Sequence, residues 1–422
     1  MTVVRRALRS SMCVMLCAAG VLLAAQTGLA DTLRVVTQNA LDFSGQSATT
    51  RIPYFRTVMR AIHPDLVLVE EMGNEQAMDL MLAQVFAQID TDWTTASFMY
   101  NGSLNQVCFY RMSKLALVSQ RAIRAEPRNI NEFVLRPAVG DTSVRLHALV
   151  THLKASQGYE EERRQEADSA RKATNLFPAG TNFFICGDFN LYTSTEPAYQ
   201  TMITPGTNAN GQFFDPINRP GDWNNNGSFA GIHTQSTRTG SESDGGASGG
   251  LDDRFDFILV SAALMDTVGS HVIPGTYHSF GNDGQHFNQS IDDGTNHSVP
   301  DSVAYALHHQ SDHLPVVVDM VLRSEPTAIA MRPAVPREMG LVVCYPNPFN
   351  SVLSIELPPV SGAAALTIYD LLGRPVYERS FRGDGVALRP LQVDFSAYGT
   401  GTYFVQWHTP AASSVQRVSY VR

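Results

Sequence analysis

The feature that most constrains the fold is a series of short apolar runs, separated by helical patterns, that each end in polar residues. Seven runs rich in Val, Ile, Leu and Phe have the length and composition of buried strands. Strands interleaved with helices predict a layered α/β domain over residues 31–323. The predicted strands are LRVVTQNA, DLVLVEEM, QVCFYR, VRLHALVTHL, NFFICGDFN, RFDFILVS and HLPVVVDMVL, and the predicted helices are Arg51–Ile62, Glu75–Gln88 and Tyr159–Leu176.

The polar residues at the ends of these runs are chemically related. In layered α/β domains, catalytic groups gather where strand ends meet loops. Carboxylates, amides and histidines can together hold a hard divalent cation and move protons at a phosphoester. Each residue alone has an ordinary explanation as a turn, cap or structural residue, so the prediction depends on their joint occurrence. The candidates are Asn39, Glu70, Glu71, His152, Asp188, Asn190, Asp256, Asp312 and His313.

The run FFICGDFN raises a geometric point. Side chains alternate between the two faces of a strand, so Asp188 and Asn190 are expected to point the same way while Phe189 points into the core. We therefore predict that both polar side chains address one polar group.

Six blocks, taken in order, carry a specific resemblance. Asn39 after a β-run, then DLVLVEEM, THLKAS, GDFN, RFDFILVS and SDHLPV, resemble the endonuclease/exonuclease/phosphatase superfamily, which includes deoxyribonuclease I. The resemblance implies an α/β four-layer sandwich of two face-to-face β-sheets flanked by helices.

The resemblance also implies a role for each site residue. Glu71 would be the principal Mg²⁺ ligand, with Asn39 and Asp312 completing or supporting the metal site. Asp188 and Asn190 would orient water and hold a phosphate oxygen. His313, paired with Asp256, would act as general base or stabilise phosphate, and His152 would be the second histidine of the site.

Beyond residue 323 the sequence pattern changes. Residues 324–340 are proline-rich and unpatterned, which predicts a linker, and residues 341–422 predict a small C-terminal β-sandwich. The segments YPNPFN, DLLGR and GTGTYF resemble the C-terminal sorting domain of type IX secretion cargo. The alternative is a generic adhesive or carbohydrate-binding sandwich.

The first thirty residues predict export. Three arginines precede a short apolar core, and small residues follow it, which is the pattern of a signal peptide over residues 1–30. The alternative is an uncleaved anchor. We expect no stable membrane insertion, engagement of the type IX secretion machinery, and a location outside a Gram-negative cell, secreted or on its outer surface.

Charge limits how a substrate is held. The chain carries a net charge of −9, and the acids are concentrated before residue 341. An anionic substrate must therefore be held by a local arginine patch or by a metal. Six arginines are candidates for nucleic-acid contact, although we expect most of them on the solvated surface: Arg111, Arg136, Arg163, Arg164, Arg238 and Arg254.

The combined prediction is a secreted, divalent-metal-dependent phosphodiesterase, a nuclease acting on extracellular DNA or RNA as a monomer. Mg²⁺ or Mn²⁺ is the expected cofactor. Ca²⁺ is a further candidate, because Asp222, Asn224, Asn226 and Gly227 have calcium-loop spacing, although His233 stands where Glu is needed. The alternatives are a sphingomyelinase-like lipid phosphodiesterase, an inositol-phosphate phosphatase, or an inactive surface binding protein. Asn208 to Asp253 is predicted to be a long surface loop within the domain.

Overall fold

The computed structural model describes residues 31–323, except 103, 207–208 and 268, and residues 342–422, except 385–388 and 410–412. The chain divides into two compact units, Met1–Pro326 and Thr327–Arg422. The predicted signal peptide and linker lie outside the described residues, so the proposed domain boundaries stay predictions. Among the described residues, no helix is long and apolar enough to cross a membrane.

The first unit alternates strands and helices along the chain. Its elements are β1 Asp31–Phe43, α1 Gly45–Ile62, β2 Leu66–Met72, α2 Glu75–Met81, a π-helical turn Leu82–Phe86, β3 Trp93–Thr95, β4 Asn105–Arg111, β5 Leu115–Ile123, β6 Ile130–Pro137, β7 Leu146–His152, α3 Glu160–Thr174, β8 Asn182–Asp188, α4 Pro197–Ile203, a 3₁₀ turn Ala209–Gly211, β9 Phe213–Phe214, a 3₁₀ turn Gly227–Ile232, β10 Asp256–Ser261, α5 Ala262–Met265, β11 His271–Val272, β12 His278–Ser279, α6 Asp301–Gln310 and β13 Val316–Leu322.

These strands form two mixed sheets. One sheet has the order β11-β13-β1-β2-β4-β3, with β12 also paired to β13, and the other has the order β5-β6-β7-β8-β10-β9. The pairs β1–β2 and β7–β8 are parallel. The parallel pairs bring the carboxyl ends of their strands to the same edge of each sheet. The predicted site residues lie at the carboxyl ends of the parallel strands or at the starts of the antiparallel strands β10 and β13.

Three apolar layers hold the sheets and helices together. Inward-facing residues of both sheets, such as Val35 and Ile258, form the central layer. Helices α1, α2 and α6 cover the outer face of the first sheet through residues such as Phe55. Helices α3 and α4 cover the second through residues such as Ala170 and Met202. This arrangement confirms the predicted four-layer sandwich.

The second unit is built from two antiparallel sheets around its own core. Its strands are β14 Val343–Tyr345, β15 Val352–Glu356, β16 Ser361–Tyr369, β17 Pro375–Asp384, β18 Leu391–Asp394, β19 Gly401–His408 and β20 Ser413–Tyr420. The sheets have the orders β14-β15-β18 and β17-β16-β19-β20. Buried Leu366, Val405 and Trp407 belong to the core. The predicted C-terminal β-sandwich is confirmed.

The segment from Asn208 to Asp253 lies within the first unit, as expected, but its description as a surface loop was wrong. Trp223, His233 and Arg238 in it are at most 1% exposed. Backbone hydrogen bonds also fasten it, including the Leu314 N–H donating to the Thr234 carbonyl at 2.8 Å. The segment is therefore part of the packed domain and can position side chains at the site.

Gly187 occupies a position in β8 that tolerates no side chain. Its φ is +129°, and an added Cβ would lie 1.9 Å from the carbonyl oxygen of Thr151 and 3.1 Å from Glu70 Oε1. We expect Gly187→Ala to lower the free energy of unfolding by about 3 kcal/mol, because a backbone carbonyl cannot move aside cheaply. Gly231→Ala, with open space around it, is the matched control. Urea denaturation measures both, and equal stability of the two variants would contradict the close approach.

Candidate active site

Asn39 and Glu71 meet where the parallel strands β1 and β2 end. Asn39 Nδ2 donates to Glu71 Oε1 at 2.9 Å, and the Asp42 N–H donates to Glu71 Oε2 at 2.8 Å. In a regular strand, Glu71 would point away from the face used by Glu70. Its left-handed conformation, with φ +60°, breaks the alternation at a register shift between Val69 and Met72. The backbone thus turns the Glu71 carboxylate toward Asn39.

Glu70 has a different environment. It is fully buried, and its Oε1 accepts from the Thr37 hydroxyl at 2.8 Å, while Oε2 has no hydrogen-bond partner among the described residues. Burial, with the nearby Asp256 and Asp188, raises the pKa of Glu70 well above its usual range. Glu70 is therefore a neutral interior group, and Glu71 is the carboxylate available to a ligand.

Three neighbouring strands place His152, Asp188 and Asp256 side by side. His152 is the register partner of Asp188 in β7–β8, and Asp188 is the partner of Asp256 in β8–β10. All three are buried. His152 Nε2 lies 3.5 Å from Asp188 Oδ2, and His152 Nδ1 lies 3.8 Å from Glu71 Oε1. The site residues of the second sheet therefore lie beside the Glu71 carboxylate of the first sheet.

Asp188 and Asn190 come together for a reason other than strand alternation. Strand β8 ends at Asp188, and Asn190 has a left-handed φ of +50°. The Asn190 N–H donates to Asp188 Oδ1 at 2.9 Å, and its side-chain amide donates to the Leu153 carbonyl at 3.2 Å. A tight turn rather than a continuing strand sets the position of Asn190.

His313 forms the predicted pair with Asp256. Nδ1 of the imidazole lies 2.7 Å from Asp256 Oδ2, and Nε2 lies 3.8 Å from Asp188 Oδ2. Burial disfavours the charged imidazole, but the carboxylates of Asp256, Asp312 and Asp188 outweigh it and raise the pKa of His313 well above its usual value. His313 is therefore an imidazolium in the metal-free site at neutral pH.

The other two titrating groups shift in ways that burial explains. Burial, with Asp256 and Glu71 nearby, raises the pKa of Asp188 to about 7. Burial, assisted by the positive charges of Arg128, His313 and Lys154, lowers the pKa of His152 well below its usual value. One histidine is thus charged and the other neutral, and Asp188 titrates near neutral pH.

Sequence reasoning missed Gln235. Its side-chain amide nitrogen lies 2.6 Å from His313 Nε2 and 3.4 Å from Asp312 Oδ2. The amide donates to a neutral imidazole, and it can offer its oxygen to a charged one by turning over. No sequence motif marks Gln235, because it lies in the long segment whose composition is that of a loop.

The segment from Asn208 to Asp253, which contains Gln235, also holds Asp312 in place. Asp312 Oδ2 accepts from the Ala247 N–H at 2.6 Å, while its buried Oδ1 has no partner among the described residues. A buried carboxylate oxygen without a donor suits a cation, but Asp312 does not belong to the group of ligand atoms that could hold one, so its role as a metal ligand stays a prediction.

One group in the described part of the chain can hold a metal ion. It consists of Glu71, His152 and Asp188, whose ligand atoms lie within 4.8 Å of one another. Asn39 instead donates to Glu71 and also to Asp188 Oδ2, at 3.2 Å, while its Oδ1 accepts from the Leu41 N–H. The structure therefore brings together the eight residues to which the resemblance gives a role, but it groups the metal-capable atoms differently from the predicted set.

The expectation that most candidate arginines are solvated was wrong for the three that are most buried. Arg163, Arg238 and Arg254 are at most 1% exposed, and each forms an ion pair at 2.7 to 2.8 Å. Their partners are Glu196, Asp244 and Asp215. Arg111 pairs with Asp90, Arg164 pairs with Glu161, and Arg136 donates to the Pro137 carbonyl.

Arg128 was overlooked and lies nearer the site. Its guanidinium donates to the carbonyls of His152 and Leu153 at 3.0 and 3.1 Å. It forms no ion pair with any described residue. Its charge is therefore free for a ligand beside His152.

The suggested calcium loop is committed to internal bonds. Asn224 donates to Asp253 at 2.8 Å, Asn226 caps the turn that follows it, and buried His233 contacts the Trp223 carbonyl through Nε2. No metal-capable group of acids and histidines lies in the described part of this loop.

Comparison with known families decides what kind of domain carries this site. The model of the endonuclease/exonuclease/phosphatase family matches residues 39–313, the span from Asn39 to His313. The chain belongs to this family. Its hydrolase fold is that of a family of phosphodiesterases and phosphatases that generally depend on divalent metals. The Glu71, His152 and Asp188 group could hold such a metal. No curated protein matches the chain.

Similar solved structures come from several members of the fold. D. rerio TDP2 complexed with a single-strand DNA product is 12% identical, with 69% of this chain and 99% of that one covered and a TM-score of 0.47. The human Nocturnin catalytic domain is 17% identical, with 68% and 94% covered and a TM-score of 0.43. The mannosyl-6-phosphatase of Bacteroides thetaiotaomicron is 14% identical, with 69% and 100% covered and a TM-score of 0.44.

The second unit has its own match. Residues 343–420 fit the model of the secretion system C-terminal sorting domain. This domain indicates secretion or a cell-surface location and confirms the predicted resemblance to type IX cargo.

Asp188 provides a test of the electrostatics. The unfolded carboxyl ionises near pH 4, whereas the folded one holds its proton up to about pH 7, so ionisation destabilises the metal-free fold progressively between these values and fully above them. We expect Asp188→Asn, in EDTA, to be more stable than the wild type at pH 8 by about 1 to 4 kcal/mol and nearly equal to it at pH 4.

Asp168→Asn is the control for this experiment. Asp168 forms only an exposed pair with Lys172, so its replacement should change the free energy of unfolding by less than about 0.5 kcal/mol. Urea denaturation at the two pH values measures all three proteins. A loss of stability in Asp188→Asn at pH 8 would show that the carboxylate is stabilised, contrary to the assignment.

Proposed function

We propose that this protein is a secreted, divalent-metal-dependent phosphodiesterase that cleaves extracellular DNA or RNA. The observation that carries the proposal is that a metal-capable group and a His–Asp pair lie next to each other at the same strand ends. The Glu71, His152 and Asp188 group can hold a cation, and the His313–Asp256 pair lies within 3.8 Å of Asp188. A cation and an imidazolium side by side suit the charge of a phosphodiester.

The donor set fits a divalent metal. Glu71 and Asp188 offer carboxylate oxygens, buried Asp312 Oδ1 has no donor, and buried His152 Nδ1 has no hydrogen-bond partner among the described residues. Mg²⁺ prefers such oxygens, and Mn²⁺ also accepts an imidazole. We propose Glu71 as the principal ligand, with Asp188, His152 and Asp312 around it. A bound metal polarises the phosphoryl oxygen and neutralises developing charge.

The protein's own side chains have separate roles in orienting the water and binding the phosphate. Asp188, whose Oδ1 accepts from the Asn190 N–H at 2.9 Å, is suited to orient the attacking water beside the metal. His313, held as an imidazolium by Asp256, is suited to bind a phosphate oxygen. Neutral His152 can donate a hydrogen bond to the same phosphate, and Asn190 lies beside Asp188 to orient the water.

The rim of the site favours a polynucleotide among phosphodiesters. Arg128 has no carboxylate partner among the described residues, and Lys154 lies two residues after His152. Tyr100 is 79% exposed on a loop that is joined to the Arg128 loop by hydrogen bonds between Asn101 and Asn129. Arginine and lysine can hold phosphates, and an exposed aromatic ring can stack on a base.

The location follows from the sorting domain together with the predicted signal peptide. We propose that the signal peptide takes the chain across the inner membrane and that the sorting domain directs it through the type IX machinery. The substrate would then be nucleic acid outside the cell, and we propose that the enzyme acts as a monomer.

The principal test is cleavage of plasmid DNA, and in parallel of RNA and sphingomyelin, by the purified full-length chain with Mg²⁺ or Mn²⁺. We expect nucleic-acid cleavage that EDTA abolishes and that His313→Ala lowers by about 10²- to 10⁴-fold, because the imidazolium contacts the reacting phosphate. His297→Ala, an exposed histidine away from the site, is the control. Cleavage of sphingomyelin alone would replace the substrate in this proposal, and metal-independent activity would overturn it.

The role of Arg128 has a separate test. We expect Arg128→Ala to raise KM for a polynucleotide about tenfold, since one charge-assisted phosphate contact is lost. The salt dependence of KM should become shallower by about one unit of log–log slope. Arg124→Ala removes an arginine whose side chain is 88% exposed and paired with Glu126, so it should change neither quantity. An unchanged KM in Arg128→Ala would show that the guanidinium serves only the backbone carbonyls.

A further inference from the structure

A second polar cavity lies at the opposite ends of the strands that carry the site. It has a volume of about 410 Å³ and is lined by residues at the starts of β7 and β8, together with Ser270 and Arg323. Leu146 pairs with Asn182 at one end of the two strands, and His152 pairs with Asp188 at the other. Six residue steps separate these ends, or about 20 Å. The cavity is therefore distinct from the candidate active site.

Two arginines line this cavity without a carboxylate partner. Arg145 Nη1 donates to the carbonyls of Thr142 and Val144 at 2.7 and 3.0 Å, and Arg323 Nε donates to the Gly269 carbonyl at 3.1 Å. Neither guanidinium forms an ion pair within the described ranges, and the remaining side-chain N–H groups of both have no acceptor there. In this they resemble Arg128 and differ from the buried Arg163, Arg238 and Arg254, which are all paired with acids.

The rest of the lining is also suited to an anion. Among the described residues, no Asp or Glu lines the cavity, although acids outnumber basic residues in the chain, 40 to 31. The side chains of Ser143, Thr181 and Ser270 add hydroxyl groups. His147 also lines it, with its Nδ1 2.6 Å from Glu132 Oε1. That contact fixes the imidazole and leaves Nε2 without a partner among the described residues.

Neighbouring carboxylates are already engaged. Asp141 Oδ1 accepts from the Ser143 N–H and hydroxyl at 2.9 and 2.6 Å, and Glu132 is shared by His147 and Arg121. Glu132 forms its ion pairs with Arg121 and His147. The positive charge of the two guanidinium groups therefore remains available to a ligand.

We propose that this cavity is a binding site for a phosphate or sulfate group. Two guanidinium groups present planar arrays of N–H donors that match such oxyanions, and the hydroxyls can supply further donors. The volume admits an anion attached to a small organic group, such as a sugar monophosphate. The same chemistry fits free inorganic phosphate or sulfate, and comparing a phosphate ester with the free anions distinguishes the two.

The test is thermal unfolding of the full-length chain in EDTA, with 10 mM phosphate, sulfate or glucose 6-phosphate compared with chloride at equal ionic strength. We expect the midpoint to rise by about 2 to 4 °C with the oxyanions. A larger rise with glucose 6-phosphate than with phosphate would identify an ester as the better ligand, and a smaller rise would identify the free anion. No rise with any oxyanion would overturn the proposal.

Arginine variants test whether the oxyanion binds in this cavity. Arg323→Ala, at an exposed side chain, and the double variant Arg145→Ala with Arg323→Ala should lose the rise, whereas Arg124→Ala should keep it. Arg128→Ala separates this cavity from the candidate active site and should also keep the rise. If Arg128→Ala abolishes the rise while the double variant retains it, the anion binds at the active site and the proposal is wrong. If the double variant fails to fold, Arg323→Ala alone decides the outcome.

Discussion

Repulsion among buried carboxylates is the constraint on which the site depends. Glu71, Asp188, Asp256 and Asp312 converge at one end of the two sheets, and three of them are almost fully buried. Like charges taken out of water are costly unless something compensates them. The metal-free protein compensates by keeping Glu70 neutral, by raising the pKa of Asp188 to about 7 and by holding His313 as an imidazolium. A divalent cation would relieve the same repulsion more directly, which is why the arrangement suits one.

The backbone at the strand ends is shaped to create this convergence. Leu41, Asp42, Glu71 and Asn190 all have positive φ although none is glycine. Such conformations cost free energy and persist where the surrounding structure imposes them. Strand alternation alone would leave Glu71 on the helix-covered face of its sheet. The left-handed residues redirect the side chains, and the hydrogen bonds from Asn39, Asp42 and Asn190 hold them in place.

The sequence was most informative where a residue's environment is local. Apolar runs with β-branched residues predicted seven of the strands, and the polar ends of those runs predicted the site residues. Strand β5 was missed because it is an edge strand with many exposed side chains, which weakens its apolar pattern. Strand β6 is largely buried, but Asn131, Glu132 and Arg136 interrupt its apolar run. Helix α1 begins six residues earlier than predicted, at Gly45, because its first turns carry polar residues. Helix α6 was also missed, since its ten residues are short for a periodic signal.

Features that depend on distant partners could not be read from the sequence. Gln235 reaches His313 across 78 residues, and Arg254 pairs with Asp215 across 39. In neither case does the neighbouring sequence indicate which distant residue is the partner. The same limitation explains why the candidate arginines were expected on the surface, since burial of a guanidinium requires a carboxylate that only the folded chain supplies.

These buried pairs in turn shape how a substrate can be held. Because Arg163, Arg238 and Arg254 are held in internal ion pairs, they offer no free charge to a substrate. Among the described residues, the arginine and lysine beside His152 are Arg128 and Lys154. A polynucleotide would then make few phosphate contacts with side chains, and the metal and the imidazolium would supply most of the attraction at the scissile phosphate. Binding of this kind depends on fit at one phosphate more than on the overall field of the protein, which is repulsive to polyanions. The candidate site therefore combines long-range repulsion with strong local positive charge, and its selectivity must come from the shape of the rim.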